Sequence, residues 1–330
     1  MLFAALRDMQ WRKRRLVITI ISTGLIFGMT LVLTGLANGF RVEARHTVDS
    51  MGVDVFVVRS GAAGPFLGSI PFPDVDLARV AAEPGVMAAA PLGSVGTIMK
   101  EGTSTRNVTV FGAPEHGPGM PRVSEGRSPS KPDEVAASST MGRHLGDTVE
   151  VGARRLRVVG IVPNSTALAK IPNVFLTTEG LQKLAYNGQP NITSIGIIGM
   201  PRQLPEGYQT FDRVGAVNDL VRPLKVAVNS ISIVAVLRLR DFAVFKAIGT
   251  PTRSIMAGLA LQALVIALLA AVVGVVLAQV LAPLFPMIVA VPVGAYLALP
   301  VAAIVIGLFA SVAGLKRVVT VDPAQAFGGP

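Results

Sequence analysis

The sequence predicts a multi-pass membrane protein: a four-helix transmembrane bundle with a large extracytoplasmic α+β domain inserted between helices 1 and 2. Residues 16–37 form an apolar run, residues 38–222 have the composition of a soluble domain, and the chain then turns apolar almost to its end. With 51% hydrophobic residues and a mean hydropathy of +0.58, it is too apolar for an ordinary soluble protein. It is also too polar for a chain that lies wholly in lipid.

The first apolar run, residues 16–37, is predicted to be transmembrane helix 1. A hydrocarbon core about 30 Å thick takes about 20 helical residues to cross, and this run contains no charge. It is longer than the apolar region of about 7–15 residues in a cleaved signal peptide, so we interpret it as a retained anchor, with a signal peptide as the alternative. Residues 1–15 are either a cytoplasmic amphipathic elbow or an ordinary basic flank.

Residues 38–222 are predicted to fold as the extracytoplasmic α+β domain. Gly152 and Ala153 lie between two apolar runs and predict a hairpin, and a helix is expected to open near Thr178. The 61–73 loop is rich in Gly and Pro yet carries four large apolar residues, so it is either a contact surface or a loop folded onto its own domain. Strands are expected at residues 53–58, 148–151, 156–162 and 174–176.

The predicted second helix, residues 223–237, is abnormally short. Its apolar part, residues 226–237, covers about 18 Å at 1.5 Å per residue, well short of the hydrocarbon core. Lys225 and Arg238 at its two ends can extend to opposite interfaces, which would allow a crossing with local bilayer thinning. The alternative is that part of this helix is missing from the chain.

The remaining segments and the orientation follow from hydropathy and charge. Lys and Arg in short loops mark the cytoplasmic side, and most of the net charge of +10 lies before residue 16, within 238–253 and at 316–317. Both termini are therefore expected inside and the large domain outside. Because the soluble domain has no basic patch, a nucleic-acid partner is not expected. The segments are a cytoplasmic coupling segment 238–254, helix 3 at 255–280, an outer connection 281–294, helix 4 at 295–315 and a cytoplasmic tail 316–330.

Helices 1 and 3 carry small or polar residues at a spacing of about four. Small residues let helix backbones approach closely in lipid, so these positions either pack one bundle internally or join two subunits. The residues are Gly24, Gly28, Gly258, Gln262, Ala270, Gly274 and Ala278.

The coupling segment is predicted to hold a short amphipathic helix that ends at Gly249, with Pro251 just beyond. Phe242, Phe245 and Ile248 fall on one face of it. They either contact lipid or dock into the groove of a partner.

Several chemistries are not expected in this chain. It has no cysteine, which excludes disulfides and thiolate metal sites, and its three histidines are far apart. It lacks a nucleophile elbow, a supported pair of catalytic carboxylates and a zinc motif, so we do not expect an enzyme. It also lacks G-x-x-x-x-G-K-[ST], the phosphate-binding loop of an ATPase.

Five motifs follow one another along the chain. They are the basic elbow 6–15, Gly-Val-Asp-Val-Phe-Val-Val at 52–58, Gly-Asp-Thr-Val-Glu-Val-Gly at 146–152 with Val-Val-Gly-Ile at 158–161, Phe-Lys-Ala-Ile-Gly-Thr at 245–250, and Asp-Pro-Ala-Gln-Ala-Phe at 322–327. In this order they resemble the MacB/LolC/LolE/FtsX superfamily of ABC transporter permeases. Asp241 and Gln262 stand where that family usually has glutamate, and the short second helix is a larger departure.

The resemblance implies a permease subunit in the bacterial plasma membrane with no cofactor of its own. A separate ABC ATPase subunit would bind ATP and Mg²⁺ and dock at 238–254, and a second permease copy or a paralogue would complete a dimer. The ATPase cycle would move the extracytoplasmic domains to export or extract an unidentified substrate. The implied coupling residues are Arg238, Arg240, Asp241, Phe242, Phe245, Lys246, Ile248 and Gly249.

The alternative is an FtsX-like signalling adaptor. Such a protein uses the ATPase cycle to activate an extracytoplasmic partner protein, such as a cell-wall hydrolase, and transports nothing. The size of the extracytoplasmic domain resembles the larger domains of the MacB and Lol permeases, which favours the transporter.

Overall fold

The computed structural model describes residues 13–101, 104–223, 253–285 and 287–305. The chain divides into two compact units. The membrane unit comprises Met1–Gly39 and Val226–Pro330, and the domain comprises Phe40–Lys225. Most of the elbow, nearly all of the short second helix, the coupling residues 238–249 and the tail lie outside the described residues.

The first helix, α1, runs from Lys13 to Ser50 and is therefore longer than the apolar run that predicts it. Beyond residue 37 no proline interrupts the helix, and the buried positions recur at helical spacing. They are Phe40, Glu43, Ala44, Thr47 and Val48. Because two of these five residues are polar, hydropathy alone does not indicate that the helix continues.

Two further helices of the membrane unit are described. Helix α5 spans Arg253–Leu281, a single 3-10 turn follows at Ala282–Leu284, and helix α6 spans Val293–Val305. Among the described residues, two helical stretches, Leu16–Ser50 and Leu264–Leu284, are long and apolar enough to cross a membrane. These two stretches are compatible with a membrane protein.

The domain is built on a ten-stranded mixed sheet. The strands of the domain are β1 Val55–Arg59, β2 Phe72–Pro73, β3 Val86–Glu101, β4 Ser104–Gly112, β5 Glu125–Gly126, β6 Glu134–Ser138, β7 Thr148–Val151, β8 Arg154–Val162, β9 Asn173–Leu176, β10 Asn191–Ile192, β11 Ser194–Gly199 and β12 Tyr208–Asp212. The order of the strands in the large sheet is β12-β1-β11-β3-β4-β9-β6-β8-β5, and β7 pairs with both β3 and β8. β2 and β10 form a separate pair.

The long strand β3 is shared by two hydrophobic cores. Its first part pairs with β11 up to Leu92, and its second part pairs with β4 from Gly93 onward. One core includes Val55, Phe72 and Ile195. The other includes Met99 and Leu181 with residues of β4, β6, β7, β8 and β9.

Short helices lie beside the sheet: α2 at Leu77–Ala81, α3 at Thr178–Ala185 and α4 at Arg213–Leu220. The expected helix at Thr178 is confirmed, and the Thr177 hydroxyl caps it by accepting a hydrogen bond from the Gly180 amide. The hairpin prediction is also confirmed, because β7 and β8 pair antiparallel across Gly152.

Candidate functional site

In the membrane unit, helices α1 and α5 pack through glycines with almost no space between them. A methyl group added at Gly24 would lie 2.7 Å from Val273 Cγ1, and one added at Gly274 would lie 2.7 Å from Phe27 Cβ. At Gly28 the nearest atom would be Leu277 Cβ at 3.0 Å. Any larger residue at these glycines would force the helices apart.

The alanines predicted to pack with these glycines are buried in the same cluster. Ala270 is 0% exposed and Ala278 is 1% exposed. Gly258 and Gln262 also lie in α5. The structure thus places Gly24, Gly28 and Gly274 between helices of one chain, and a role in joining two chains stays a prediction.

A second close contact holds the outer connection against α1. The Ala290 amide donates to the Gly35 carbonyl at 2.9 Å, and the Asn38 side-chain amide donates to the Ala290 carbonyl at 2.9 Å. A methyl group at Gly39 would lie 1.8 Å from the Ile288 carbonyl oxygen. This contact was not predicted from the sequence, although Gly35 and Gly39 repeat the spacing of Gly24 and Gly28.

In the domain, the C-terminal end of α1 is fixed to the loop between β8 and β9 by a buried polar cluster. The Glu43 carboxylate accepts from the Thr166 hydroxyl at 2.8 Å and from the Lys170 amide at 3.0 Å. Thr47 Oγ1 donates to the Thr166 carbonyl at 2.9 Å and accepts from Asn173 Nδ2 at 3.1 Å. We call Glu43, Thr47, Thr166 and Asn173 the helix–loop junction.

The loop of the junction holds strained backbone. Asn164, Ala169 and Lys170 have positive φ angles of 45°, 60° and 58°. Left-handed conformations at residues other than glycine cost about 1–3 kcal/mol each when the surroundings impose them. The Glu43 carboxylate binds the amide of one of these residues, so the junction helps to maintain the strained loop.

The junction is unusual because its polar side chains are almost wholly removed from water. Glu43 is 4% exposed, Thr47 and Asn173 are 0% exposed, and Asn173 Oδ1 has no hydrogen-bond partner among the described residues. Each unpaired buried polar group lowers the stability of the fold by about 1–3 kcal/mol. Removal of one member of the junction should therefore destabilise the domain, because it leaves the polar groups of its partners unpaired. The sequence signal that was missed is the spacing of Glu43 and Thr47, which lie on one face of the helix that continues from the span.

The 61–73 loop folds mainly onto its own domain, one of the two outcomes that the sequence left open. Phe66 and Phe72 are buried, whereas Leu67 and Ile70 remain 52% and 41% exposed. The Asp219 carboxylate on α4 accepts from the Phe66 amide at 2.8 Å.

No cluster of residues suited to binding a metal ion occurs in the parts of the chain that are described.

The glycine contacts and the helix–loop junction pack and position structural elements. In the membrane unit the contacts pack two helices and an outer connection, and in the domain the junction fixes a helix end to a loop. The predicted coupling residues lie outside the described residues: Arg238, Arg240, Asp241, Phe242, Phe245, Lys246, Ile248 and Gly249.

Two family models match the chain, and together they cover most of it. Residues 16–203 match the MacB-like periplasmic core domain, and residues 226–323 match the FtsX-like permease C-terminal domain. The first match spans nearly all of α1 and most of the domain.

Similar full-length proteins are ABC transporter permeases of mycobacteria. Rv0072 of Mycobacterium tuberculosis (strain H37Rv) is 95% identical over 349 positions, and Mb2592 of Mycobacterium bovis is 71% identical over 349 positions. In both comparisons all of this chain and all of the relative are covered.

The alignment with Rv0072 is longer than this chain. It has 349 positions and the chain has 330 residues, so 349 minus 330 leaves 19 positions without a residue here. These 19 positions are about 5% of the alignment. They therefore account for the whole 5% by which the sequence identity differs from 100%. Because both proteins are covered from end to end, the unmatched positions lie within the chain.

Solved structures of extracytoplasmic domains also resemble the chain. The periplasmic region of MacB from Actinobacillus actinomycetemcomitans is 13% identical, with a TM-score of 0.37, and the match covers 51% of this chain and 92% of that one. The extracellular domain of YknZ from Gram-positive bacteria is 12% identical, with a TM-score of 0.35, covering 48% and 99%.

Proposed function

Because the chain belongs to the FtsX/MacB-type family of ABC transporter permeases, we propose that it is a subunit that couples ATP hydrolysis by a separate ATPase to movement of its extracytoplasmic domain. The resemblance predicted from the sequence motifs is confirmed by the family matches and the permease relatives. The observation that carries the proposal is the order of the parts: an apolar helix, a MacB-like core and an FtsX-like C-terminal part in one chain.

The proposed topology has four crossings, with both termini in the cytoplasm and the domain outside. The basic residues near both ends and within 238–253 support it through the positive-inside rule. The ATPase is proposed to bind ATP and Mg²⁺ and to dock at 238–254, because this chain has no phosphate-binding loop of its own. A second permease copy or a paralogue would complete the transporter.

The 19 unmatched positions fit the abnormal second helix. Residues 226–237 are too few to cross the hydrocarbon core unaided, whereas no such shortage occurs at 16–37 or 255–280. We therefore place the unmatched positions at or beside residues 223–237. This chain would then have the architecture of its relatives with a second crossing that is shortened.

Transport is favoured over signalling by the MacB-like core, which matches residues 16–203. A signalling adaptor of the FtsX type would need an extracytoplasmic partner protein and no substrate path. A signalling adaptor would bind an extracytoplasmic partner protein, whereas a transporter would bind a substrate. Purification from native membranes can distinguish the two functions.

The test is affinity purification of the tagged full-length chain from mycobacterial membranes, followed by mass spectrometry. We expect an ATPase that carries G-x-x-x-x-G-K-[ST] to co-purify, and its ATP hydrolysis in proteoliposomes to change when the permease is present. Crosslinking of a cell-wall hydrolase to the extracytoplasmic domain, with no substrate that stimulates ATP hydrolysis, would favour the adaptor. Purification without any ATPase would contradict both.

A further inference from the structure

Two exposed arginines follow the apolar run of α1 within the same helix. Arg41 and Arg45 are four positions apart and therefore lie on one face of α1, opposite the buried residues Glu43 and Thr47. Counted along this one helix at 1.5 Å per residue, they lie about 6 Å and about 12 Å beyond residue 37, where the apolar run ends.

These distances put both arginines within reach of lipid headgroups. The headgroup region adds about 5–7 Å to each side of the hydrocarbon core. Long basic side chains bury their apolar stems and extend their charged ends to the polar layer of a membrane. The guanidinium groups of Arg41 and Arg45 can therefore contact the phosphates of that layer.

Neither arginine is neutralised by the domain. Arg41 and Arg45 form no ion pair and no side-chain hydrogen bond among the described residues, although Asp49 follows Arg45 by four positions. Like charges four positions apart on a helix repel each other. An anion that lies between the two guanidinium groups would remove this repulsion.

The helix–loop junction brings a third basic residue to the same level. The Lys170 amide donates to the Glu43 carboxylate at 3.0 Å, so Lys170 lies beside a position between Arg41 and Arg45, on the other side of α1. Ala169 and Lys170 are exposed and have left-handed backbone, with φ angles of 60° and 58°. Strain of this kind is frequent at functional sites. The Lys170 side chain forms no ion pair among the described residues.

The charge rule that supports the proposed topology does not explain these residues. Lys and Arg close to a span favour the cytoplasmic side, yet Arg41 and Arg45 directly follow the first span on the side proposed to be outside. Basic side chains at this place oppose the orientation. A role at the outer membrane surface would account for them.

We propose that Arg41, Arg45 and Lys170, which we call the basic collar, bind the phosphate groups of anionic phospholipids in the outer leaflet. The three side chains supply positive charge and hydrogen-bond donors only, which is the chemistry that an anionic headgroup requires. Binding holds this part of the domain at the membrane surface. The choice of the outer leaflet rests on the proposed topology, whereas lipid binding itself does not depend on ATPase docking.

The absence of cysteine allows a direct test with one fluorophore on the full-length chain. Val42→Cys places the label beside Arg41, at a residue that is 48% exposed. The protein is reconstituted in nanodiscs of phosphatidylcholine and phosphatidylglycerol that contain a trace of one lipid or the other spin-labelled near its headgroup. The ratio of quenching by the two labelled lipids measures enrichment of the anionic lipid at the collar.

We expect the labelled phosphatidylglycerol to quench at least about twofold more strongly than the labelled phosphatidylcholine, and high salt to abolish the difference. Replacement of the three collar residues by glutamine should reduce the ratio to about one. The matched control removes three exposed basic residues at the opposite end of β6 and β8 from the loop, and it should keep the wild-type ratio. These substitutions are Lys131→Gln, Arg155→Gln and Arg157→Gln.

Four results would each overturn the proposal: no quenching by either lipid, a ratio of about one in the otherwise unsubstituted chain, an unchanged ratio in the collar variant, or an equal loss in the control variant. The salt arm needs no substitution in the collar, so it tests the proposal even where a variant folds poorly. Because the nanodiscs contain no ATPase, failure here leaves the proposed function standing. Failure of the ATPase to co-purify likewise leaves lipid binding standing.

Discussion

The carboxylate of Glu43, on the outer part of α1, accepts a 2.8 Å hydrogen bond from the hydroxyl of Thr166, in the loop between β8 and β9. Both residues are almost fully buried, at 4% and 5% exposed. Within the domain, the contact fixes the C-terminal part of α1 to this loop. Sequence position alone would not connect them, since they are 123 residues apart.

Removal of this acceptor should destabilise the domain. Glu43→Ala leaves the Thr166 hydroxyl and the Lys170 amide without their partner, and we expect a loss of about 1–3 kcal/mol for the unsatisfied groups. Glu43→Gln keeps one acceptor oxygen and should lose less. The measurement is urea unfolding of the detergent-solubilised chain, followed by near-UV circular dichroism. Equal losses for the two variants would show that hydrogen bonding at this oxygen is not what stabilises the junction.

Of the twelve described strands and three short helices of the domain, five elements were predicted, because their signals are local: β1, β7, β8, β9 and α3. Short apolar runs predicted β1 and β9, the two runs that flank Gly152 and Ala153 predicted β7 and β8, and a helix was expected near Thr178, where α3 begins. The long strand β3 was not predicted, because it contains many small residues and little strict alternation. Its two halves owe their strand conformation to partners distant in sequence.

The contacts that join elements were harder to predict. The sequence identified Gly24, Gly28 and Gly274 by their spacing but left open whether they pack one chain or two. It missed the helix–loop junction because polar residues such as Glu43 interrupt the apolar pattern of α1. Hydropathy reports average burial in lipid or core, whereas the junction depends on which polar atoms face each other.

The close packing of α1 on α5 predicts a strong position dependence for added methyl groups. Gly274→Ala would place a carbon 2.7 Å from Phe27 Cβ, and overpacking of this kind costs about 1–3 kcal/mol. Gly294→Ala is the matched control, because no atom of the described residues lies within 4 Å of its added carbon. Thermal unfolding in detergent should show a lower Tm for Gly274→Ala alone.

The same pair of variants addresses the subunit question. If Gly274 also joins two chains, crosslinked dimer should decrease with Gly274→Ala even under conditions where the monomer remains folded. Unchanged dimer yield together with lower stability would restrict these glycines to packing within one chain. Equal Tm values for the two variants would contradict the packing described here.

The ion pair of Glu134 with Arg127 predicts a pH-dependent contribution to stability. The hydrogen bonds from Arg127, aided by the Ser130 and Lys131 amides, lower the pKa of Glu134 to about 2 from its ordinary value of 4.5, although burial opposes the shift. The folded state therefore favours the ionised carboxylate. This contribution is complete above pH 4.5 and is lost as the pH decreases toward about 2.

Glu134→Gln should consequently destabilise the domain at pH 7 more than at pH 3. One pKa unit corresponds to about 1.4 kcal/mol, but Arg127 is half exposed, so we expect only about 1–2 kcal/mol at pH 7. The measurement compares variant with wild type by urea unfolding at each pH. A difference that does not change with pH would mean that ionisation of Glu134 does not contribute.

The proposed shortening of the second crossing predicts impaired coupling in this chain. Insertion of the 19 unmatched residues of Rv0072 at their aligned position should lengthen this crossing and increase permease-dependent ATP hydrolysis in proteoliposomes.

The proposed topology predicts which sites can be labelled from outside, with or without the inserted residues. Gly328→Cys should be protected from a membrane-impermeant maleimide in intact cells, whereas Ser60→Cys should react. Labelling of Gly328→Cys from outside would place the tail outside and make the short segment non-spanning.

The proposed function depends above all on docking of a separate ATPase at residues 238–254. Large apolar residues buried at the centre of an interface contribute about 2 kcal/mol or more, whereas exposed ion pairs contribute under about 1 kcal/mol. The most direct measurement is recovery of the permease with the tagged ATPase for Phe245→Ala and for the matched control Arg238→Ala, normalised to permease level in the membrane. We predict about tenfold lower recovery for Phe245→Ala and near wild-type recovery for Arg238→Ala. Wild-type recovery for Phe245→Ala would contradict docking at this segment.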